Sequence, residues 1–189
     1  NIFGNNITRE NVIRNQFEID EGDPYNEILV NKTQNNLKSL GFFKSVSSNT
    51  TEGSTADNKI INISVEEKPT GEIAAGAGFG TDGASFMFSV NENNYLGKGL
   101  KIENTLNISG ESVKGSFSVS NPNIYNSNNS GYVKAEASET DRFEVFGYKT
   151  NKYGITFGTS FEFYDDTRFG IGTSNYYEKI ETDNTASSR

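Results

Sequence analysis

The chain has 189 residues and a formal net charge of −8, and it contains neither cysteine nor histidine. These absences exclude disulfides, thiol and Ser-His-Asp catalysis and most zinc sites. We expect no cofactor and no metal. There is no basic stripe to bind nucleic acid, and no apolar run reaches the roughly 20 residues of a membrane helix.

Residues 1–70 predict a small domain of helices and strands. Thr8 is the expected N-cap of a first helix, which the Asp-Glu-Gly-Asp-Pro run at 20–24 ends. The apolar side of this helix is formed by Val12, Ile13 and Phe17.

A second helix is predicted from Asn26 to Leu40, with Gly41 as the residue after its C-cap. Its apolar face is formed by Leu29, Thr33, Leu37 and Leu40. Two strands follow, at 42–48 and 59–66, separated by a polar turn at 49–58. Ile2 and Phe3 form only a strand stub, so we expect the first strand of this domain to be truncated.

After Pro69 the apolar residues recur with a period of two, and Gly, Asn, Asp and Ser separate the segments. The pattern predicts seven strands. Their apolar positions are Ile73 to Phe79, Phe86 to Val90, Leu100 to Ile108, Val113 to Val119, Val133 to Ala137, Tyr153 to Phe163, and Phe169 with Ile171.

We predict that every charge within these strands lies on the opposite face. That face carries Glu72, Met87, Lys101, Glu103, Lys114, Lys134, Glu136, Lys152, Glu162 and Arg168. Because a Lys or Arg facing lipid at mid-membrane costs about 2–4 kcal/mol, such segregation is typical of a transmembrane barrel wall. Asn104 is the exception, since it falls on the apolar face.

Other features agree with a membrane wall. Strand lengths of about 9 to 11 residues suit a tilted crossing. Aromatic residues are expected at the strand ends, where they form interfacial girdles: Tyr95, Tyr153, Tyr164, Tyr176 and Tyr177. A tight hairpin is predicted at Thr81-Asp82-Gly83 and a longer loop at 141–151.

A water-soluble β-sandwich with a binding function is the alternative, because its strands alternate in the same way. Seven strands without a crossover favour the barrel. An open set of seven strands has unpaired edges that lipid does not tolerate, so we expect the sequence to be a piece of a longer chain.

Several motifs, in this order, resemble the BamA family of outer-membrane β-barrel assembly factors. They are Gly4-Asn5, Glu21-Gly22-Asp23, Leu40-Gly41-Phe42-Phe43 with Val46, Val65-Glu66-Glu67-Lys68-Pro69-Thr70-Gly71, Gly76-Ala77-Gly78-Phe79-Gly80, Asn94-Tyr95-Leu96-Gly97-Lys98-Gly99 and Ser120-Asn121-Pro122. They span nearly the whole chain, although any one of them alone is a weak signal.

The resemblance implies that residues 1–70 are a periplasmic POTRA domain, the one next to the barrel. Residues 71–189 are then roughly the first half of a 16-stranded barrel in the outer membrane. It also implies insertion of unfolded outer-membrane proteins without catalytic chemistry, together with accessory lipoproteins and in contact with the lipid bilayer. Related alternatives are a TamA-like protein and a two-partner secretion transporter.

The first barrel strand is the part that the resemblance assigns to client binding, as a lateral gate. Its residues are Gly71, Glu72, Ile73, Ala74, Ala75, Gly76, Ala77, Gly78, Phe79 and Gly80. Its small side chains weaken the strand ladder, and the free N–H and C=O groups of an edge template another strand. The alternative is that these small residues only make room in a crowded lumen or near a bulge.

Two acidic positions remain. The resemblance implies that Glu21 lies near an accessory lipoprotein and forms a salt bridge to it, whereas the residues alone favour a solvated turn before the second helix. Asp165-Asp166 lacks the ligand spacing of a calcium loop and is expected to cap a turn.

Overall fold

The computed structural model describes residues 1–55, 58–80, 83–127, 129–164 and 167–183. The chain divides into two compact units. The N-terminal unit comprises Asn1–Thr70, Asn93–Leu100 and Tyr125–Ser127, and the strand unit comprises Gly71–Glu92, Lys101–Ile124 and Asn128–Arg189.

The N-terminal unit is a three-stranded sheet with two helices. Its elements are β1 (Ile2–Phe3), α1 (Glu10–Arg14), α2 (Glu27–Ser39), β2 (Phe43–Glu52) and β3 (Lys59–Glu67). The strand order is β1-β3-β2, with β1 parallel and β2 antiparallel to β3. The core contains Val12, Ile13, Leu37, Phe42, Phe43, Val46, Ile63 and Val65. The predicted order of helices and strands is confirmed.

Helix α2 begins and ends as predicted. The side chain of Asn26 accepts hydrogen bonds from the backbone N–H groups of Ile28 and Leu29. Gly41 has a φ of +74°, which glycine adopts without strain after a C-cap. The buried residues are Val30, Thr33 and Leu37. Leu29 is only half-buried, so Val30 takes part of the place expected for it.

Three local predictions in this unit are wrong. The N-cap of α1 is Arg9, which provides no side-chain cap, and Thr8 does not cap the helix because its hydroxyl is hydrogen-bonded to Asn94. Helix α1 ends at Arg14, so Phe17 packs on the core from beyond the helix. The polar stretch 49–58 is only partly a turn, because β2 continues to Glu52 paired with Lys59.

The strand unit contains the predicted seven strands and a short helix. They are β4 (Gly71–Gly80), β5 (Gly83–Tyr95), β6 (Leu100–Ser109), β7 (Ser112–Asn121), β8 (Ser130–Arg142), α3 (Phe143–Phe146), β9 (Tyr148–Tyr164) and β10 (Thr167–Thr182). The strands are neighbours in chain order in one sheet, which is open between β4 and β10 in the described part of the chain. Lengths of 13, 13, 17 and 16 residues for β5, β8, β9 and β10 exceed the expected range.

The apolar face of this sheet is exposed. Phe86, Phe88, Ile155 and Phe157 have exposed fractions of 60%, 49%, 39% and 45%. In a β-sandwich these side chains would be buried between two sheets. The sandwich alternative is therefore wrong, and the exposed apolar face is what a bilayer-facing wall requires.

The predicted segregation of charge holds only within the apolar band. Because side chains alternate along a strand, the register also places charged residues on the apolar side at strand ends. They are Glu92, Glu139, Asp141, Lys149, Lys179 and Glu181. Tyr153 pairs with Tyr177 where the apolar residues of β9 and β10 give way to these charges. The longer strands thus extend past the apolar band, and the prediction failed because it covered only the band.

The connections differ from expectation as well. The loop predicted at 141–151 is short, because β8 reaches Arg142 and β9 begins at Tyr148. The hairpin residues Thr81 and Asp82 and the pair Asp165-Asp166 lie outside the described residues. None of the helices seen in the described part of the chain combines the length and the apolar character needed to cross a bilayer.

Candidate functional site

Strand β4 brings all ten predicted gate residues together at one edge of the seven-stranded sheet. It pairs antiparallel with β5, from Gly71 opposite Glu92 to Gly80 opposite Gly83. On its other side no strand pairs with it among the residues that the structure describes. The outward N–H and C=O groups of β4 can therefore accept another strand.

Among the described residues, three glycines of β4 have room for a side chain and an ordinary backbone conformation. A Cβ added to Gly76 would lie 3.8 Å from Cε of Met87, and one added to Gly78 would lie 3.4 Å from Oγ of Ser85, both ordinary contacts. At Gly80 nothing described lies within 4 Å. None of the three has a positive φ. Glycine costs a strand conformational entropy and packing, so the weakened-ladder interpretation stays a prediction, as does the alternative of a crowded lumen.

The base of the β4–β5 hairpin is fastened by Asn93. Its backbone N–H and its side-chain Nδ2 both donate to the carbonyl oxygen of Thr70, each at 3.2 Å. Thr70 directly precedes β4, and Asn93 lies near the end of β5. These bonds hold the residue before β4 against the end of β5.

Glu67 holds the loop that precedes α1. Its carboxylate accepts hydrogen bonds from the backbone N–H groups of Asn6, Ile7 and Thr8, at 2.9, 2.9 and 2.6 Å. Burial acts to raise the pKa of Glu67, but these bonds and one from the Thr8 hydroxyl outweigh burial and lower the pKa. Glu67 belongs to the Val65-to-Gly71 motif that carries the resemblance, but no local pattern of residues indicated that it would hold the loop before α1.

The Asn94-to-Gly99 motif is a turn seated on the same loop. Asn94 is buried, donates through Nδ2 to the hydroxyl of Thr8 at 2.9 Å and accepts from the N–H of Gly99 at 2.8 Å. The N–H of Arg9 donates to the carbonyl of Gly97 at 2.8 Å. The sequence signal for this turn was its two glycines, and both Gly97 and Gly99 have a φ of +68°.

Glu21 lies in the exposed turn between the helices, as predicted. Its Oε1 is 3.1 Å from Nη1 of Arg14, and its side chain is 90% exposed. Glu10 also pairs with Arg14, at 2.8 Å, and the hydrogen bonds and charges of both carboxylates raise the pKa of Arg14. Glu21 therefore already has a partner within the chain, and its contact with a lipoprotein stays a prediction.

The polar face of the strand unit carries paired charges around a shallow cleft. Lys101 pairs with Glu103 at 2.7 Å, and Lys134 with Glu136 at 2.9 Å. The cleft, about 320 Å³ in volume, is lined by Lys114, Lys134, Glu136 and Lys152 among others. Within the described ranges no group of His, Cys, Asp and Glu could hold a metal ion.

The chain is similar to a known domain family and to known outer-membrane proteins. Residues 1–68 match the POTRA family, described as surface antigen variable number repeat. Over 187 residues the chain is 29% identical to the outer membrane protein assembly factor BamA of Neorickettsia risticii, covering 95% of this chain. It is 27% identical over 190 residues to BamA of Neisseria meningitidis, covering 94%. The chain spans 24% of the length of each of these relatives.

Solved structures show the same architecture. A crystal structure of BamA from Haemophilus ducreyi lacking POTRA domains 1–3 superposes with a TM-score of 0.83 at 22% identity, covering 96% of this chain and 35% of that one. CdiB from Acinetobacter baumannii superposes with a TM-score of 0.53 at 11% identity, covering 95% and 37%. The predicted resemblance to BamA proteins is confirmed: residues 1–68 match the POTRA family, and the antiparallel strands that follow share the fold of the BamA strands, with no closed barrel among the described residues.

Proposed function

We propose that this chain is part of an outer-membrane protein that assembles and inserts β-barrel proteins, and that β4 is the edge on which a client strand pairs. The observation that carries the proposal is the position of β4, whose outer edge is unpaired in the described residues. Three of its glycines, Gly76, Gly78 and Gly80, weaken the ladder and would admit a Cβ beside the described residues. The relatives named as outer membrane protein assembly factors support the assignment.

The mechanism is β-augmentation without catalysis. Main-chain groups along Gly71–Gly80 hydrogen-bond to an incoming strand, and the exposed side chains of Ile73 and Phe79, 71% and 92% exposed, meet lipid or client. No cofactor takes part. In this proposal the strand unit lies in the outer membrane and residues 1–70 lie in the periplasm, where Glu21 contacts an accessory lipoprotein.

Site-specific crosslinking in the full-length protein tests the proposal. Since this chain contains no cysteine, single cysteines at Ala75 and Ala77 report only the chosen position within this segment. With an added oxidant, we expect disulfides to a cysteine placed in the C-terminal strand of a stalled client. A matched cysteine at Ala135, in β8, which has a neighbouring strand on each side, should give none. Crosslinks found only within the POTRA domain would contradict the proposal.

A related POTRA-barrel transporter is the second candidate, supported by the fold shared with CdiB. Such a protein passes its client through the pore. A client would then crosslink to polar-face residues such as Lys134 and not to the outer edge of β4.

A further inference from the structure

Three stretches of the N-terminal unit meet around Glu67 and Thr8. The loop at 5–9 is held by the Glu67 carboxylate through the backbone N–H groups of Asn6, Ile7 and Thr8. Thr8 in turn accepts the hydrogen bond from Asn94, which organises the turn at 94–99. One continuous set of hydrogen bonds therefore connects the end of β3 with the turn between β5 and β6.

The turn fits this loop closely. Gly97 is buried, and a Cβ added there would collide with the carbonyl oxygen of Ile7. Thr8 and Asn94 are 3% and 5% exposed, so their hydrogen bond is shielded from water. The bonds to Glu67 are strengthened by the charge of its carboxylate, and the one from the N–H of Thr8 is also partly buried. The arrangement is therefore specific and not a loose surface contact.

We propose that Glu67 is a positioning residue that fixes the base of the β4–β5 hairpin. It lies three residues before Thr70, whose carbonyl accepts both bonds from Asn93. Through Thr8 and Asn94 it also holds the turn into which β5 runs. The ladder between the two strands thus starts from a fixed register at Thr70 and Asn93, and a β4 strand ordered in this way has a lower entropic cost of pairing with a client.

The neighbouring glutamate provides a matched comparison. Glu66 lies on the other face of β3, pairs with Lys44 at 2.9 Å, and has a side chain that is 55% exposed. Glu66 makes none of the bonds to the loop at 5–9 that are described for Glu67. The role therefore belongs to one of two adjacent acids, and Glu66→Gln controls for the loss of one charge.

The inference rests on the proposed function only in its last step, so its test has two readouts in the full-length protein. The first is hydrogen exchange of the amides at 6–8 and at 97–99. The second is the rate of client insertion into liposomes. Glu67→Gln places an amide where three N–H donors need an acceptor. We expect exchange to rise about 10- to 100-fold at both segments, as loss of a hydrogen bond to a charged group implies.

Exchange at Leu37 and Ile63, which are fully buried and report opening of the whole unit, should rise by no more than the same factor, and the insertion rate should fall. Asn94→Ala, which leaves Glu67 intact, should release 97–99 while 6–8 stay protected. Glu66→Gln should change neither readout. If Glu67→Gln speeds exchange at 6–8 without any change at 97–99, the proposal is overturned. Normal client insertion by Glu67→Gln with faster exchange at both segments would overturn it as well. Absence of insertion by the unaltered protein would refute the proposed function, while the exchange data would still decide whether Glu67 holds the hairpin base.

Discussion

Asn94 and Thr8 lie 86 residues apart in the sequence and are joined by a buried hydrogen bond of 2.9 Å from the Asn94 amide to the Thr8 hydroxyl. This bond brings the turn between the second and third strands of the sheet onto the loop before the first helix. Residues Asn93–Leu100, which contain this turn, belong to the N-terminal unit. The POTRA domain therefore includes residues that lie beyond 1–70 in the sequence.

Replacing Thr8 with valine should destabilise the N-terminal unit. The substitution keeps the shape of the side chain but removes a bond to the buried Asn94 amide, a loss of about 1–3 kcal/mol. Hydrogen exchange at Leu37 and Ile63, which report opening of the whole unit, measures the change. Thr8→Ser keeps the hydroxyl and should stay within about 1 kcal/mol of the unaltered protein. Equal effects of the two substitutions would show that the hydroxyl is unimportant.

Gly97→Ala should disrupt the seating of the turn. The added methyl group would collide with the carbonyl oxygen of Ile7, and a φ of +68° costs a residue with a Cβ about 1–2 kcal/mol. We expect faster exchange at Arg9, whose N–H bonds to Gly97. Lys98→Ala, at the exposed neighbouring position, should leave this exchange unchanged. Protection of Arg9 in the Gly97→Ala protein would contradict the prediction.

Acid should weaken the unit through Glu67. Its pKa in the folded state is lowered from the ordinary value of 4.5, so its stabilising contribution is complete above 4.5. The contribution is lost as the pH falls through the lowered folded value. Glu67→Gln should remove this acid-dependent loss, which exchange at Leu37 between about pH 3 and pH 6 would detect. Glu66→Gln should retain most of it, because the Glu66–Lys44 pair is exposed.

Stiffening β4 should impair client pairing. Gly76→Ala together with Gly78→Ala introduces no clash and should stabilise the strand by about 0.5–1 kcal/mol per site. If the weak ladder is what frees the edge, fewer client crosslinks at β4 and slower insertion should follow. Gly115→Ala is the control, because it lies in the central strand β7 with open space around it. An unchanged insertion rate of the double variant would show that Gly76 and Gly78 are not needed for client insertion.

The pair Tyr132 and Gly158 should be energetically coupled. They face each other across β8 and β9, and a Cβ on Gly158 would collide with the Tyr132 ring. The ring therefore covers the glycine, a cross-strand contact worth about 0.2–1 kcal/mol. Gly158→Ala should destabilise the protein by about 1–3 kcal/mol with Tyr132 present, and by less in a Tyr132→Ala background. Urea unfolding in detergent micelles of the four proteins of this double-mutant cycle measures the coupling, and additive effects would exclude it.

The sequence alone determined the features that depend on neighbouring residues. Period-two alternation fixes which side chains share a face, so seven strands and the exposed apolar surface carrying Phe86 and Phe157 followed from it. Capping chemistry likewise placed helix α2 between Asn26 and Gly41. The BamA resemblance, carried by motifs along the whole chain, supplied the POTRA and barrel architecture.

Only the tertiary structure decided the roles of Thr8, Glu67 and Asn94. The partners of these side chains lie 59 and 86 residues away in the sequence, and no local pattern records such a distance. Thr8 is a residue type that often caps helices. Its hydroxyl is instead bonded to distant partners, so it does not cap the adjacent helix α1. The ends of the strands could not be predicted from the sequence for a related reason. Outside the apolar band both faces of a strand are polar, so only the pairing between strands defines where β9 and β10 end.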